Sequence, residues 1–117
     1  MIDRTLMKKR GENFRKTREK LGYTLEQVAD FLYLKKDFLS DFENGEVSIG
    51  VSVLERACNL FGCTLSDLEK GTLNCTTYIF DGVNPDEYPK ELLKAIHDVN
   101  RIGLNLRKIK ELEKGAR

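Results

Sequence analysis

The amino-acid sequence predicts an all-α protein with five short helices, a linker and one long C-terminal helix. Apolar residues recur at intervals of three and four through most of the chain, which is the period of an amphipathic helix. Glycines stand directly after several of these periodic segments, and threonines stand directly before two of them. Because glycine and threonine are typical helix stops and N-caps, the pattern predicts short, closely spaced helices.

The first two helices follow from apolar spacing and from their end signals. Helix 1 is predicted from Lys8 to Leu21, with Gly22 as its stop. Thr24 and Gln27 have the spacing of a capping box, in which the threonine hydroxyl accepts from the glutamine backbone amide and the glutamine side chain reaches back. Helix 2 is therefore predicted to begin directly after this threonine.

A third helix is predicted over residues 36–44, with Gly45 as its stop. Its apolar residues Leu39, Phe42 and Phe38 are expected to face inward. The remaining side chains of this segment are polar or charged. The pattern therefore indicates a short amphipathic helix with a polar outer face.

Two more helices complete the first part of the chain. Helix 4 is predicted over residues 51–61, where apolar residues recur at helical spacing and a glycine follows. Thr64 caps a last short helix over residues 65–70, which ends at Gly71. We therefore predict a five-helix domain at residues 1–71.

The composition changes after this domain. Residues 72–89 begin with β-branched and aromatic residues and continue with a turn-rich stretch, which predicts an extended linker or a short strand. Pro89 has a position that the first turn of a helix tolerates. Residues 90–117 are therefore predicted to form mainly one long C-terminal helix.

The long helix carries an apolar stripe. Its members repeat at alternating intervals of three and four residues, the spacing of a coiled coil, and they are Leu92, Ala95, Val99, Ile102, Leu106 and Ile109. Such a stripe needs a partner surface. We expect two copies of the chain to dimerise through it, and folding back onto the fifth helix is the alternative.

Composition limits the functional classes. The chain has 117 residues, 40% of them hydrophobic, and a net charge of +1. No apolar run reaches the roughly 20 residues of a membrane span, and the polar first residues lack the apolar centre of a signal peptide. We therefore expect a cytoplasmic protein that does not bind membranes.

Sites for chemistry are not recognisable in the sequence. The three cysteines have no C-x-x-C spacing, and the single histidine has no ligand cluster around it, so no metal site is expected. Neither a Ser-His-Asp set nor a glycine-rich phosphate loop is recognisable. We predict no enzymatic activity and no cofactor, and we interpret His97 as a surface or packing residue.

The segment over residues 8–71 resembles the helix-turn-helix domain of the Cro/C1-type, or XRE, family, which has the lambda-repressor-like fold. The resemblance rests on Ala29 in the second helix, on the ENG sequence that ends the third, and on the closing segment ACNLFGCTLSDL. The family has an arginine that pairs with the glutamate of its ENG motif. The resemblance therefore implies a structural salt bridge between Arg18 and Glu43.

The resemblance also implies how the domain would meet double-stranded DNA. In such domains the third helix lies in the major groove and the second crosses the phosphate backbone. The positions that reach base edges are Lys35, Lys36, Asp37, Ser40 and Asp41. Contacts with phosphate, or long-range attraction to it, are implied for Lys35, Thr24, Asn44 and Lys9.

Several positions depart from the family pattern. The family often has a glutamine, a turn glycine and a cap serine where this chain has Leu25, Tyr33 and Lys35. Glu46 stands where a basic phosphate contact is common. A carboxylate close to a phosphate is repelled by about 1 kcal/mol even in water-like screening. The acidic residues on and beside the third helix must therefore meet base amines or point away from phosphate.

We predict a sequence-specific transcriptional regulator, a dimeric repressor that reads a pseudo-palindromic operator. The alternative is an antitoxin or interaction module whose C-terminal helix binds a protein such as a toxin or an antirepressor. Residues 1–20 carry eight Lys or Arg against three acids, which favours DNA. Acids outnumber bases in residues 21–70, which favours the alternative.

Overall fold

The computed structural model describes residues 4–71 and 83–115, with side chains described at residues 5–71 and 83–103. All regular structure in these residues is helical, which confirms the all-α class. The six α-helices are α1 (Arg4–Leu21), α2 (Leu25–Phe31), α3 (Lys36–Glu43), α4 (Val51–Phe61), α5 (Leu65–Lys70) and α6 (Lys90–Gly115). A short 3-10 turn, Pro85–Glu87, precedes α6. The strand considered for the start of the linker lies outside the described residues.

The helix ends form at the predicted caps and stops. Thr24 Oγ1 accepts from the Gln27 backbone amide at 3.0 Å, and the Thr24 amide donates to Gln27 Oε1 at 3.2 Å. Thr64 and Asp67 form the same reciprocal pair at the start of α5. Helix α1 begins one turn earlier than predicted, because residues 4–7 contain no helix breaker to stop it.

Aromatic rings fill the centre of the five-helix domain. The Phe14 ring is fully buried, and it meets the rings of Phe42 and Phe61 edge-on at centroid distances of 5.3 and 5.2 Å. These rings come from α1, α3 and α4. Edge-on packing of this kind adds a specific geometry to the burial of apolar area, so the rings fix how the three helices cross.

Helices α1 and α3 approach so closely that the contact requires glycine. A Cβ atom on Gly11 would lie 2.2 Å from the backbone oxygen of Phe42, and the backbone there belongs to α3. A Cβ atom on Gly45 would lie 2.8 Å from the Cα of Lys8. Gly45 also has a φ of +79°, which disfavours any other residue. The start of α1 is therefore held against the end of α3.

The C-terminal helix packs on the five-helix domain. Leu93 and Ile96 are buried in the common core, and α6 lies mainly against α4, with further contacts to α2. Asn100 is also buried, and its Nδ2 donates to the backbone oxygen of Leu60 at 3.2 Å. Tyr88, just before α6, is buried edge-on against Tyr23. The first turns of α6 therefore pack into the same core as the five preceding helices.

This packing uses a different face of α6 from the predicted coiled-coil stripe. Leu92 is half-buried, whereas Val99 and Ile102 are 44% and 58% exposed. The side chains of Leu106 and Ile109 lie outside the described residues. The helix does fold back, but onto α4 instead of the fifth helix, and part of the stripe stays exposed to solvent.

The buried polar groups near α6 include His97. Its ring packs against Phe31 of α2 at a centroid distance of 5.7 Å, and its Nδ1 lies 3.0 Å from Asp98 Oδ1. This hydrogen bond lowers the pKa of the Asp98 carboxyl. Burial raises the pKa of the Tyr23 hydroxyl to about 12. No helix in the described part of the chain is long and apolar enough to cross a membrane.

Candidate nucleic-acid interface

A tight turn joins α2 to α3. The Leu34 amide donates to the Ala29 oxygen at 2.9 Å, and the Tyr33 amide donates to the Asp30 oxygen at 3.2 Å. These two bonds form a Schellman motif, in which the residue directly after the helix C-cap takes the left-handed conformation. The motif ends α2 abruptly and lets α3 begin after Lys35, which has an extended backbone.

The left-handed residue of this turn is Tyr33, with a φ of 58°. A side chain in this conformation costs roughly 1–2 kcal/mol, which glycine avoids. Tyr33 is 75% exposed, and two cations face its ring: Lys90 Nζ lies 4.4 Å and Arg56 Cζ 5.6 Å from the ring centroid. Cation–π contacts of about 0.5–1 kcal/mol each at exposed sites offset part of the strain. The sequence showed the missing glycine but not these partners, because they come from α4 and α6.

Helix α3 buries one stripe and presents the rest to solvent. Its buried residues are Leu39, Phe42 and Glu43. The positions expected to read DNA lie together on its exposed side: Lys35, Lys36 and Asp37 are exposed, and Ser40 and Asp41 are half-buried. This face presents both hydrogen-bond donors and acceptors, the groups that base edges in a major groove recognise.

The expectation that Phe38 faces inward is wrong, because 39% of this residue is exposed. Around the helix, Phe38 lies about 100° from Leu39 but only about 40° from Phe42, so it stands at the margin of the buried side. The Phe38 ring therefore stands at the edge of the polar face. An apolar ring there could contact a thymine methyl group.

A buried ion pair joins α3 to α1. Arg18 Nε donates to Glu43 Oε2 at 2.9 Å, and Arg18 Nη2 donates to Glu43 Oε1 at 3.1 Å. Arg18 Nη1 donates to the Tyr23 backbone oxygen at 2.9 Å. Both side chains are nearly inaccessible, with exposed fractions of 11% and 5%. The bidentate geometry fixes the last turn of α3 against α1, so its role is to orient α3.

The expected phosphate-contact residues surround α3. Thr24 is exposed at the start of α2, although its hydroxyl already caps that helix. Asn44 is exposed at the end of α3. Lys9 is exposed on α1, and its neighbour Lys8 abuts Gly45, so the basic start of α1 lies beside the end of α3.

Sequence reasoning missed a second use of Gln27. Beyond its part in the capping box, Gln27 Nε2 donates to the backbone oxygens of Pro85 and Tyr88, at 2.8 and 3.1 Å. The capping-box spacing indicated the local bond only. No sequence pattern could have indicated the bonds to a segment about 60 positions further along the chain, because they depend on how α6 packs.

The described part of the site is the exposed side of a helix. The described residues contain no group of three or more His, Cys, Asp or Glu that could hold a metal ion. Two helices joined by a tight turn, with the second exposing a polar face and held by a buried ion pair, define a helix-turn-helix domain of the lambda-repressor-like fold.

Comparison with known proteins agrees with this class. Residues 14–68 match the family model described as helix-turn-helix. A competence pilus inhibition repressor from Acinetobacter baylyi is 33% identical over 58 residues, which make up 50% of this chain and 53% of that protein. The chain thus matches about half the length of this curated relative.

A solved structure, that of the clp gene regulator ClgR from C. glutamicum, superposes with a TM-score of 0.54. The alignment covers 56% of this chain and 85% of that one, at 24% sequence identity. This likeness supports the fold. Residues 14–68 are thus similar to helix-turn-helix domains in sequence, and the chain shares their fold.

Proposed function

We propose that the protein is a sequence-specific DNA-binding transcriptional regulator, acting as a dimeric repressor on a pseudo-palindromic operator. The observation that carries this proposal is the polar face of α3, which is exposed and rigidly held within a helix-turn-helix domain. A convex helix of this kind fits a major groove. The similarity to a competence pilus inhibition repressor supports repression as the direction of regulation.

The charges on α3 fit base contacts better than phosphate contacts. Lys36 would donate to guanine O6 and N7, and Asp37 would accept from the amino group of cytosine. Ser40 and Asp41 are half-buried on the same side of α3. They would therefore meet bases only at the centre of the contact between α3 and the major groove. The basic start of α1 would supply attraction to the phosphate backbone.

We expect selection from random duplex DNA with the full chain to enrich an inverted repeat. Lys36→Gln should weaken binding to the enriched site by about tenfold to a hundredfold, because a bidentate contact to guanine is lost. The measurement is a titration by fluorescence anisotropy at two salt concentrations. Lys16→Gln is the matched control, since Lys16 is exposed on α1 and already pairs with Glu12 at 2.9 Å.

The control should bind like the unmodified protein. If Lys36→Gln binds equally well, α3 does not read the DNA through this lysine. If nothing is enriched at either salt concentration, the DNA-binding proposal is rejected.

Dimerisation would use the outer face of α6. The inner face is occupied by the core, but Val99 and Ile102 remain exposed on the same helix. A single domain of this kind reads few base pairs, so specific affinity for DNA needs two copies of the domain. Both residues belong to the predicted stripe, which also includes Leu106 and Ile109.

We expect Ile102→Glu to convert a dimer into a monomer, because two carboxylates would be buried at the two-fold interface without partners. Sedimentation equilibrium across a range of protein concentrations measures this. Arg101→Glu is the matched control, because Arg101 is also exposed and is not part of the stripe. A dimer that persists in Ile102→Glu would show that this face is not the interface.

The exposed apolar face of α6 together with the carboxylates of α3 also favours a second candidate, an antitoxin or interaction module. In that case the outer face of α6 would hold a toxin or an antirepressor instead of a second copy. Salt response separates the two functions, because phosphate contacts weaken steeply with salt and an apolar helix interface hardly responds.

A further inference from the structure

The side-chain amide of Gln27 joins three backbone groups from two distant parts of the chain. Its Oε1 accepts from the Thr24 amide at 3.2 Å, at the start of α2. Its Nε2 donates to the Pro85 oxygen at 2.8 Å and to the Tyr88 oxygen at 3.1 Å. An amide group has two donor hydrogens, so both are used on the segment that leads into α6.

That segment is itself firmly attached at both ends. A Cβ atom on Gly22 would lie 3.1 Å from the Pro85 ring, so the 3-10 turn packs directly on the loop between α1 and α2. Tyr88 is 4% exposed and meets the Tyr23 ring at a centroid distance of 6.3 Å. Beyond it, α6 is buried through Leu93. Gln27 thus connects an anchored segment to the first turn of α2.

We propose that Gln27 is a positioning residue that transmits the orientation of α6 to the DNA-facing helix pair, and so sets the spacing between the two half-sites of an operator. This inference rests on the proposed dimeric DNA-binding function. If two copies pair through the outer face of α6, the angle between α6 and α2 decides how far apart the two α3 helices lie. The hydrogen bonds of Gln27 span that junction, together with an exposed ion pair between Lys90 Nζ and Asp30 Oδ2 at 3.9 Å.

The hydrogen bonds between position 27 and the segment before α6 require a donor, which glutamine has and glutamate lacks. A glutamate at this position can still accept from the Thr24 amide, since glutamate serves equally in a capping box. A carboxylate has no hydrogen to donate, so it would repel the two carbonyl oxygens of Pro85 and Tyr88. Gln27→Glu therefore keeps the helix cap and breaks only the link to α6.

The test measures binding of the full chain to a set of operators whose half-sites are moved apart or together by single base pairs. The unmodified protein should prefer one spacing. In Gln27→Glu, the ratio of the affinity at the preferred spacing to the affinity at neighbouring spacings should fall about tenfold, as expected for the loss of two hydrogen bonds. Gln27→Met removes the two donors and also the Oε1 acceptor of the capping box without adding charge, and it should show the same broadened preference.

Glu26→Gln is the control for charge, because Glu26 is the exposed neighbour in the same helical turn. It should change affinity equally at all spacings and leave the preferred spacing intact. Hydrogen exchange of the α6 backbone amides should accelerate in Gln27→Glu and not in Glu26→Gln, which reports the broken link without any DNA.

If Gln27→Glu and Gln27→Met keep the original spacing preference, the positioning role is overturned while DNA binding stands. If the unmodified protein binds no operator at any spacing, the proposed function fails and this inference fails with it. A narrow preference that broadens only in the two Gln27 variants supports both.

Discussion

Replacing Glu43 with alanine should lower the free energy of unfolding by about 3–5 kcal/mol, because the buried Arg18 guanidinium would keep only the exposed Glu19 carboxylate, 3.9 Å from its Nη2, as a counter-charge. The pair is bidentate at 2.9 and 3.1 Å, and the two side chains are only 11% and 5% exposed. Urea denaturation followed by circular dichroism measures the change. A shift of this size would make Glu43 one of the most sensitive polar positions in the domain.

Two controls separate charge burial from other effects of the substitution. Glu46→Ala removes an exposed carboxylate from the same end of α3 and should change stability by no more than about 0.5 kcal/mol. A double variant, Arg18→Met with Glu43→Leu, should recover most of the loss, because no charge is then left buried. If Glu43→Ala unfolds at the same urea concentration as the unmodified chain, the ion pair contributes nothing to stability.

Leu93→Ala should lower the free energy of unfolding by about 2–5 kcal/mol, through lost transfer energy and the cavity left behind. Leu93 is 1% exposed and belongs to the same core as the helix-turn-helix residues. The substitution should therefore destabilise the whole helix-turn-helix domain together with α6. Thermal and urea unfolding, followed by α-helical signal at fixed protein concentration, measure it.

Lys94→Ala is the matched control, because Lys94 is the exposed neighbour on the same helix. It should change stability by no more than about 0.5 kcal/mol. A Leu93→Ala variant that keeps full stability would show that α6 contributes nothing to the core. Unfolding of α6 before the other helices would show that α6 is a separate cooperative unit.

The polar site was predictable in outline because helix faces follow from local sequence. Apart from the buried Glu43, the charged and hydroxyl residues of α3 lie on its solvent side, since the apolar positions 39 and 42 define the buried side. Phe38 was misassigned because an apolar side chain usually indicates burial, and only the packing of α3 against α1 and α2 shows which side is covered. Which of these residues contacts DNA stays a prediction.

What the sequence determined by itself was the class of fold and the helix ends. The caps at Thr24 and Thr64 and the stops at Gly22 and Gly45 depend on hydrogen bonds within a few residues, so local sequence is sufficient to specify them. Only the tertiary structure decided which face of α6 packs against the core.

Helix α6 has two apolar stripes that share a helical period, one through Leu93 and Ile96 and one through Val99 and Ile102. Periodicity shows that a stripe can be buried, but the shape of α4 decides which one is. The same packing brings the Pro85 and Tyr88 carbonyls to Gln27. Such bonds join residues distant in sequence, and their existence depends on the energy of the whole core, which local sequence patterns do not encode.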